Sequence, residues 1–126
     1  MTGTTVMQIV QETLRPFGIT RCYVGYKQIC YSISLAVVDE SRLEAVVKEI
    51  YMETADHFGC SWKDVERNLR TACARAWEVN AAHLIQMAGY PLTATPTSHT
   101  FIEIIASYII RNFSVRTVVL TQPLFC

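Results

Sequence analysis

Residues 41–80, SRLEAVVKEIYMETADHFGCSWKDVERNLRTACARAWEVN, predict two helices, over about 41–57 and 61–78, that meet at a tight corner. Apolar side chains recur at a spacing of three and four in both segments, which places them along one buried face of each helix. In the first helix these side chains are Leu43, Val46, Val47, Ile50, Tyr51, Thr54 and Ala55. In the second helix they are Trp62, Val65, Leu69, Cys73, Ala76 and Trp77.

The corner between the two helices carries the residue types of a helix-turn-helix. Gly59 can adopt the positive φ that ends a helix sharply. Ser61 can cap the second helix, and Asp64 adds a negative charge to its first turn. The small residue Ala55, the glycine four positions later and Val65 six positions beyond it have helix-turn-helix spacing. Since any close helical corner favours a small residue and a glycine, an ordinary helical hairpin is the alternative interpretation.

The sequence before the corner predicts two further helices. The first ends at Pro16 and Gly18, a proline and glycine combination that stops helices. Residues 19–24 are β-branched and aromatic, which favours an extended connector. A second helix is expected over about residues 26–38.

The sequence after the corner completes an all-α fold. A short helix is expected over 81–88, and a sixth helix begins at Thr97 or Ser98. Residues 1–112 should therefore form a compact six-helix bundle that contains the helix-turn-helix, followed by an apolar tail over 113–126.

The sixth helix has more apolar side chains than one narrow stripe requires: Ile104, Ile105, Tyr108, Ile109 and Ile110. They could form a dimer seam, or they could be buried against the first two helices.

Composition favours one globular domain. The chain has 126 residues, of which 51% are hydrophobic and 17% charged. No apolar run reaches the ~18–20 residues that span a bilayer, and the N-terminus lacks a signal-peptide pattern. The five cysteines are odd in number and include no C-x-x-C pair, which favours reduced thiols. We therefore expect a cytoplasmic protein without a membrane partner.

The net charge of zero counts against nucleic-acid binding, because phosphate neutralisation supplies much of the affinity of DNA-binding domains. The second helix of the corner nevertheless carries four of the eleven basic residues. These are Lys63, Arg67, Arg70 and Arg75, against the acidic residues Asp64, Glu66 and Glu78. The local patch is modestly basic.

Neither an enzyme nor a metal site is expected. His57 and Cys60 are three positions apart, but they straddle the corner and no second ligand pair follows at a zinc-like spacing. The sequence has no glycine-rich phosphate loop and no G-x-S-x-G motif. We expect no catalytic residues, no cofactor and no small-molecule substrate.

Ordered sequence blocks between about residues 6 and 112 resemble the C-terminal effector domain of the stage-zero sporulation protein A, a response regulator of endospore-forming Firmicutes. The blocks are Gly18, Gly25-Tyr26, VERNLR over 65–70, Ala76-Trp77, Gly89-Tyr90 and Pro96-Thr97 with Phe101-Ile102. The resemblance implies a six-helix fold with a helix-turn-helix in its middle. It also implies a sequence-specific transcription factor that binds double-stranded DNA as a homodimer.

In that family the exposed side of the fourth helix enters the major groove. Carried over by position, Glu66, Arg67 and Arg70 keep the family's residue types, and Lys63 shares their face. An arginine can bond guanine O6 and N7, and a glutamate can accept a hydrogen bond from cytosine N4. The alternative is a solvated helix face on which Glu66 and Arg70 form an i,i+4 pair.

Three residues depart from the family pattern. Asp64 stands where the family has an arginine, Thr71 replaces a histidine on the groove face, and Thr95 replaces a lysine. These changes predict an altered sequence preference, weaker binding or a loss of DNA binding. In the last case the fold would serve as a protein-interaction or dimerisation module.

Two helix starts are candidates for holding DNA phosphates. Ser61 begins the fourth helix, and Thr97 and Ser98 begin the sixth. Backbone N–H groups and hydroxyls at such positions bind phosphate oxygens. Simple helix capping is the alternative, and the two roles are compatible.

Overall fold

The computed structural model describes residues 5–113, and helices dominate it. The α-helices are α1 (Val6–Leu14), α2 (Tyr26–Val38), α3 (Met52–Phe58), α4 (Trp62–Ala88) and α5 (Ser98–Phe113). Helix α4 is broken at Asn80, whose φ of −156° and ψ of 63° are not helical, so the bundle has six helical segments. The described range contains no strand. The prediction of an all-α, six-helix fold is confirmed.

The break in α4 separates a long helical segment from a short one. The side-chain oxygen of Asn80 accepts a hydrogen bond from the backbone N–H of His83 at 3.3 Å, which caps the segment that follows. That short segment ends at Gly89, which has a φ of 78°. The short helix predicted over 81–88 is therefore present.

The loop between α1 and α2 differs from the prediction. A 3₁₀ turn (Arg15–Phe17) follows α1 and ends at Gly18, as expected. Residues 19–24, however, form two successive turns in place of an extended connector, with hydrogen bonds from Tyr23 N to Thr20 O (2.8 Å) and from Tyr26 N to Tyr23 O (3.1 Å). Tertiary packing overrides the local β preference here.

The helix predicted over 41–57 has three geometries in sequence. Asp39 caps a 3₁₀ segment (Glu40–Ala45), a π-turn (Val47–Tyr51) follows, and only then does regular α3 begin. The segment is helical as expected, but it is not a uniform α-helix.

The π-turn explains why one predicted core residue is wrong. Val47 was expected on the buried face and is 43% exposed, whereas Val46 is buried. The Met52 N–H bonds to the Val47 carbonyl, five residues back, so Val47 lies in line with the exposed Met52 and not with the buried Tyr51. The side chain of Arg42 crosses this turn and donates a hydrogen bond to the backbone oxygen of Glu49 at 2.6 Å.

Helix α5 packs mainly on α2 and α4. Its Ile104, Ile105 and Ile109 are buried within the single chain. Of the two interpretations of this helix, burial is therefore the one observed for these three side chains. None of the helices described is both long and apolar enough to cross a membrane. The predicted tail, apart from Phe113, lies outside the described residues.

Candidate nucleic-acid interface

The corner between α3 and α4 is built as its sequence requires. Gly59 takes a left-handed conformation with a φ of 69°, and the N–H of Cys60 returns to the carbonyl of Ala55 at 3.0 Å. The Ser61 hydroxyl accepts a hydrogen bond from the Lys63 N–H at 3.1 Å and caps α4. Val65 is fully buried at the contact. This is a helix-turn-helix corner.

The first part of α4 has one buried and one exposed face. The buried side chains are Val65, Leu69, Ala72, Cys73 and Ala76. On the other side, Lys63, Arg67, Arg70 and Thr71 are exposed, as the helical period predicts. This exposed side, with the partly buried Glu66, is called the α4 face below.

The two arginines at the centre of the α4 face are held by acidic neighbours on the same helix. Arg67 Nη2 lies 2.7 Å from Asp64 Oδ1, and Arg70 Nη1 lies 2.8 Å from Glu66 Oε1. Exposed pairs of this kind contribute about 0.3–0.5 kcal/mol, so a phosphate or a base edge can replace them. Lys63 and Arg75, by contrast, form no ion pair within residues 5–113.

Ser98 links the start of α5 to the α4 face. Its hydroxyl donates a hydrogen bond to Glu66 Oε2 at 3.2 Å and lies 2.7 Å from the Tyr51 hydroxyl. The Ser98 side chain is buried, so its hydroxyl serves this internal contact, and the phosphate contact of this helix start stays a prediction. Thr97, which is exposed, accepts a hydrogen bond from the Thr100 N–H at 3.1 Å and caps α5.

The residues that form this corner and its exposed face fall within a known family. The family model described as "Sporulation initiation factor Spo0A C terminal" matches residues 10–109, which is most of the chain. The chain belongs to this family. Spo0A C-terminal domains are DNA-binding regulatory domains of sporulation, so the resemblance predicted from the sequence is confirmed.

In this member of the family the loop between α1 and α2 is hydrogen-bonded to the side of α4. The Tyr23 hydroxyl donates a hydrogen bond to the Thr71 carbonyl oxygen at 3.2 Å. Burial raises the pKa of Tyr23, and the nearby Arg75 charge partly opposes that rise. Gly25 lies against Asn68, whose side-chain amide donates a hydrogen bond to Gln28 Oε1 at 2.6 Å.

These flanking contacts were missed by sequence reasoning. The only sequence signal for them was the pair of glycines, Gly18 and Gly25, which both have a positive φ and meet side chains of α4. The partners of these glycines, Arg75 and Asn68, gave no signal of their own.

Two cysteines, Cys30 and Cys73, are buried in the core. Burial raises the pKa of the Cys73 thiol to about 12 and that of Cys30 to about 11, so both are neutral at physiological pH. Cys73 donates a hydrogen bond to the carbonyl of Pro96 at 3.1 Å. His57 stacks on the Tyr31 ring with a centroid distance of 4.3 Å. Within the described range no three His, Cys, Asp or Glu residues form a metal-binding group.

Proposed function

We propose that this chain is a sequence-specific, DNA-binding transcription regulator that reads the major groove with the α4 face. The observation that carries the proposal is the exposed row of Lys63, Arg67 and Arg70 on the helix that follows the helix-turn-helix corner. In helix-turn-helix proteins this second helix lies in the major groove, and its N-terminal residues contact base edges.

Glu66 and Arg70 are the proposed base-reading pair. They lie side by side at 2.8 Å, and the Arg70 side chain is 62% exposed while that of Glu66 is 24% exposed. Arg70 would bond guanine O6 and N7 while Glu66 accepts a hydrogen bond from a neighbouring cytosine N4. An arginine in such a bidentate contact supplies about 1–3 kcal/mol of discrimination against the wrong base.

Lys63, Ser61 and Thr97 are the proposed phosphate contacts. Lys63 supplies a charge that no described side chain neutralises, and the exposed residues Ser61 and Thr97 stand at the starts of α4 and α5. Such contacts fix the position of a protein on the duplex without reading its sequence. Thr71 lies further along the same face and would adjoin the DNA backbone.

A protein-interaction or dimerisation module on the same fold is the second candidate. It is favoured by Asp64, whose carboxylate binds Arg67 and puts a negative charge on the face that would approach phosphates. The zero net charge of the chain points in the same direction.

We further propose that the regulator binds DNA as a homodimer and acts in the bacterial cytoplasm, where the chromosome lies. Because Ile104, Ile105 and Ile109 are used in the core, the dimer contact would use other residues. Val47 and Met52 are exposed apolar side chains close together in sequence, on the π-turn and the start of α3.

Fluorescence-anisotropy titration of a family-type operator and a random duplex pool, at two salt concentrations, tests the proposal. We expect tighter binding to the operator, with log K falling against log salt at a slope of about −0.9 per neutralised phosphate. Absence of binding to either duplex at low salt would overturn the proposal. Self-association without DNA retention would support the second candidate.

A further inference from the structure

A chain of hydrogen bonds runs from the core of the domain to the α4 face. Ser98 donates its single hydroxyl proton to the Glu66 carboxylate at 3.2 Å, and the Tyr51 hydroxyl lies 2.7 Å from the Ser98 oxygen. Because an ionised carboxylate only accepts hydrogen bonds, Ser98 has no further proton to give, and Tyr51 must be the donor to Ser98. The direction of the chain is therefore fixed as Tyr51 to Ser98 to Glu66.

The inner end of this chain is shielded from water. Tyr51 is 3% exposed and Ser98 is 7% exposed. The Tyr51 ring lies parallel to the ring of Trp62, the first residue of α4, with a centroid distance of 6.4 Å. Burial raises the pKa of Tyr51, so its hydroxyl keeps its proton and remains a donor at physiological pH. Tyr51 and Ser98, the two inner members of this hydrogen-bond chain, are therefore held in place by the packing around them.

The outer end of the chain is the proposed reading pair. Glu66 Oε2 accepts from Ser98, and Glu66 Oε1 accepts from Arg70 Nη1 at 2.8 Å. An i,i+4 pair on a helix surface is by itself weak and samples several rotamers. Here one carboxylate oxygen is bound from the interior, so Glu66 is held in one orientation and holds Arg70 in turn.

Resting on the function proposed above, we infer that Tyr51 and Ser98 are positioning residues for base recognition. They do not contact DNA. They fix the Glu66 carboxylate so that its free lone pairs and the Arg70 guanidinium face the groove together. Discrimination at the base pair read by Glu66 and Arg70 therefore depends on two hydroxyls that the DNA never touches, because preorganised groups lose less entropy on binding.

The variant Tyr51→Phe removes the hydroxyl and keeps the ring. The base pair that Glu66 reads is first identified as the position where Glu66→Gln abolishes sequence preference. At that position Tyr51→Phe should reduce the ratio of affinities for the preferred and the other base pairs about threefold to tenfold, which corresponds to the loss of one hydrogen bond. The affinity for a random duplex should change far less. Ser98→Ala should give the same pattern, and it serves as the second variant should Tyr51→Phe lower the folded fraction.

Tyr23→Phe is the matched control. It removes a hydroxyl that is also bound to α4, at the Thr71 carbonyl, but has no connection to Glu66. Its preference at the Glu66 position should equal that of the wild type. Unchanged preference in both Tyr51→Phe and Ser98→Ala would overturn the positioning role.

A readout without DNA separates the failure of this inference from the failure of the proposed function. The side-chain carboxyl ¹³C signal of Glu66, assigned by its absence in Glu66→Gln, should move in Tyr51→Phe and Ser98→Ala and stay in place in Tyr23→Phe. A wild-type protein without sequence preference would overturn the proposed function and the reading role. In that case, a Glu66 signal that shifts in Tyr51→Phe and Ser98→Ala would still show that the two hydroxyls hold the Glu66 carboxylate. A signal that does not shift in either variant would show that they do not hold it.

Discussion

Gly25 packs so closely against Asn68 that a Cβ atom on the glycine would lie 2.6 Å from the Asn68 Cγ atom. The glycine also has a φ of 79°, which side-chain-bearing residues rarely adopt. The contact joins the loop before α2 to the helix proposed to read DNA.

We expect Gly25→Ala to lower the free energy of unfolding by about 2–4 kcal/mol, because backbone strain and the clash add. Gly59→Ala is the matched control, since Gly59 has a similar φ of 69° but no atom within 4 Å of the added Cβ. It should cost only the strain, about 1–2 kcal/mol. Urea denaturation of both variants measures the difference, and equal losses would show that the Asn68 contact contributes nothing.

Removal of the Arg70 side chain should weaken operator binding and relax preference at one base pair. Arg70→Ala is expected to cost about 1–3 kcal/mol of binding free energy, provided that Arg70 makes a bidentate base contact. Arg15→Ala is the control, because Arg15 is also exposed (66%) and paired with an acidic neighbour, Glu12, but lies outside the α4 face. Anisotropy titrations against operator variants make the comparison. An equal loss on every duplex sequence would instead identify a phosphate contact.

Removal of the Asp64 carboxylate should strengthen DNA binding. Asp64→Ala frees Arg67 from a 2.7 Å ion pair and removes a negative charge from the face that is proposed to approach the DNA phosphates. We expect higher affinity and a salt slope steeper by about 0.9, the contribution of one more neutralised phosphate. Glu12→Ala frees Arg15 from an ion pair of the same i,i+3 spacing and should change neither quantity. A matching gain in Glu12→Ala would point to a general charge effect.

The buried thiol of Cys73 should make the stability of the domain depend on alkaline pH. Its pKa is raised from 9.0 to about 12, so the folded state holds the proton more tightly than the unfolded chain does. The resulting stability is fully present below pH 9 and is lost as the pH rises from 9 towards 12, by up to about 1.4 kcal/mol per pH unit.

Urea denaturation between pH 8 and pH 10.5 measures this dependence. The wild type should lose stability more steeply above pH 9 than Cys73→Ala does, whatever the constant cost of that substitution. Cys22→Ala, which removes an exposed thiol, should keep the wild-type slope. Parallel curves for the wild type and Cys73→Ala would contradict the prediction.

The features that the sequence predicted well are those that depend on residues close together in the chain. The corner at Gly59, the cap at Ser61 and the two faces of α4 follow from helical period and local backbone preference. The exposed positions of Lys63, Arg67 and Arg70 follow from the same period once Val65 and Leu69 are placed in the core.

The features that were missed depend on distant residues. Tyr51 and Ser98 are 47 positions apart, and Ser98 and Glu66 are 32 apart. The helical period correctly predicted that Tyr51 is buried and that Ser98 lies at a helix start. It could not predict that their hydroxyls are hydrogen-bonded to each other. Val47 was wrongly assigned to the core because the apolar pattern does not show that a π-turn adds one residue to the helical turn.

The π-turn at Val47–Tyr51 determines how this domain should respond to the deletion of one residue before the corner. A π-turn contains one residue more than an α-helical turn, and the extra residue is accommodated within the helix without a new loop. Deletion of one residue here should convert the π-turn into an α-helical turn that continues into α3, with the corner after it still in place. The helix proposed to read DNA should then keep its position in the bundle.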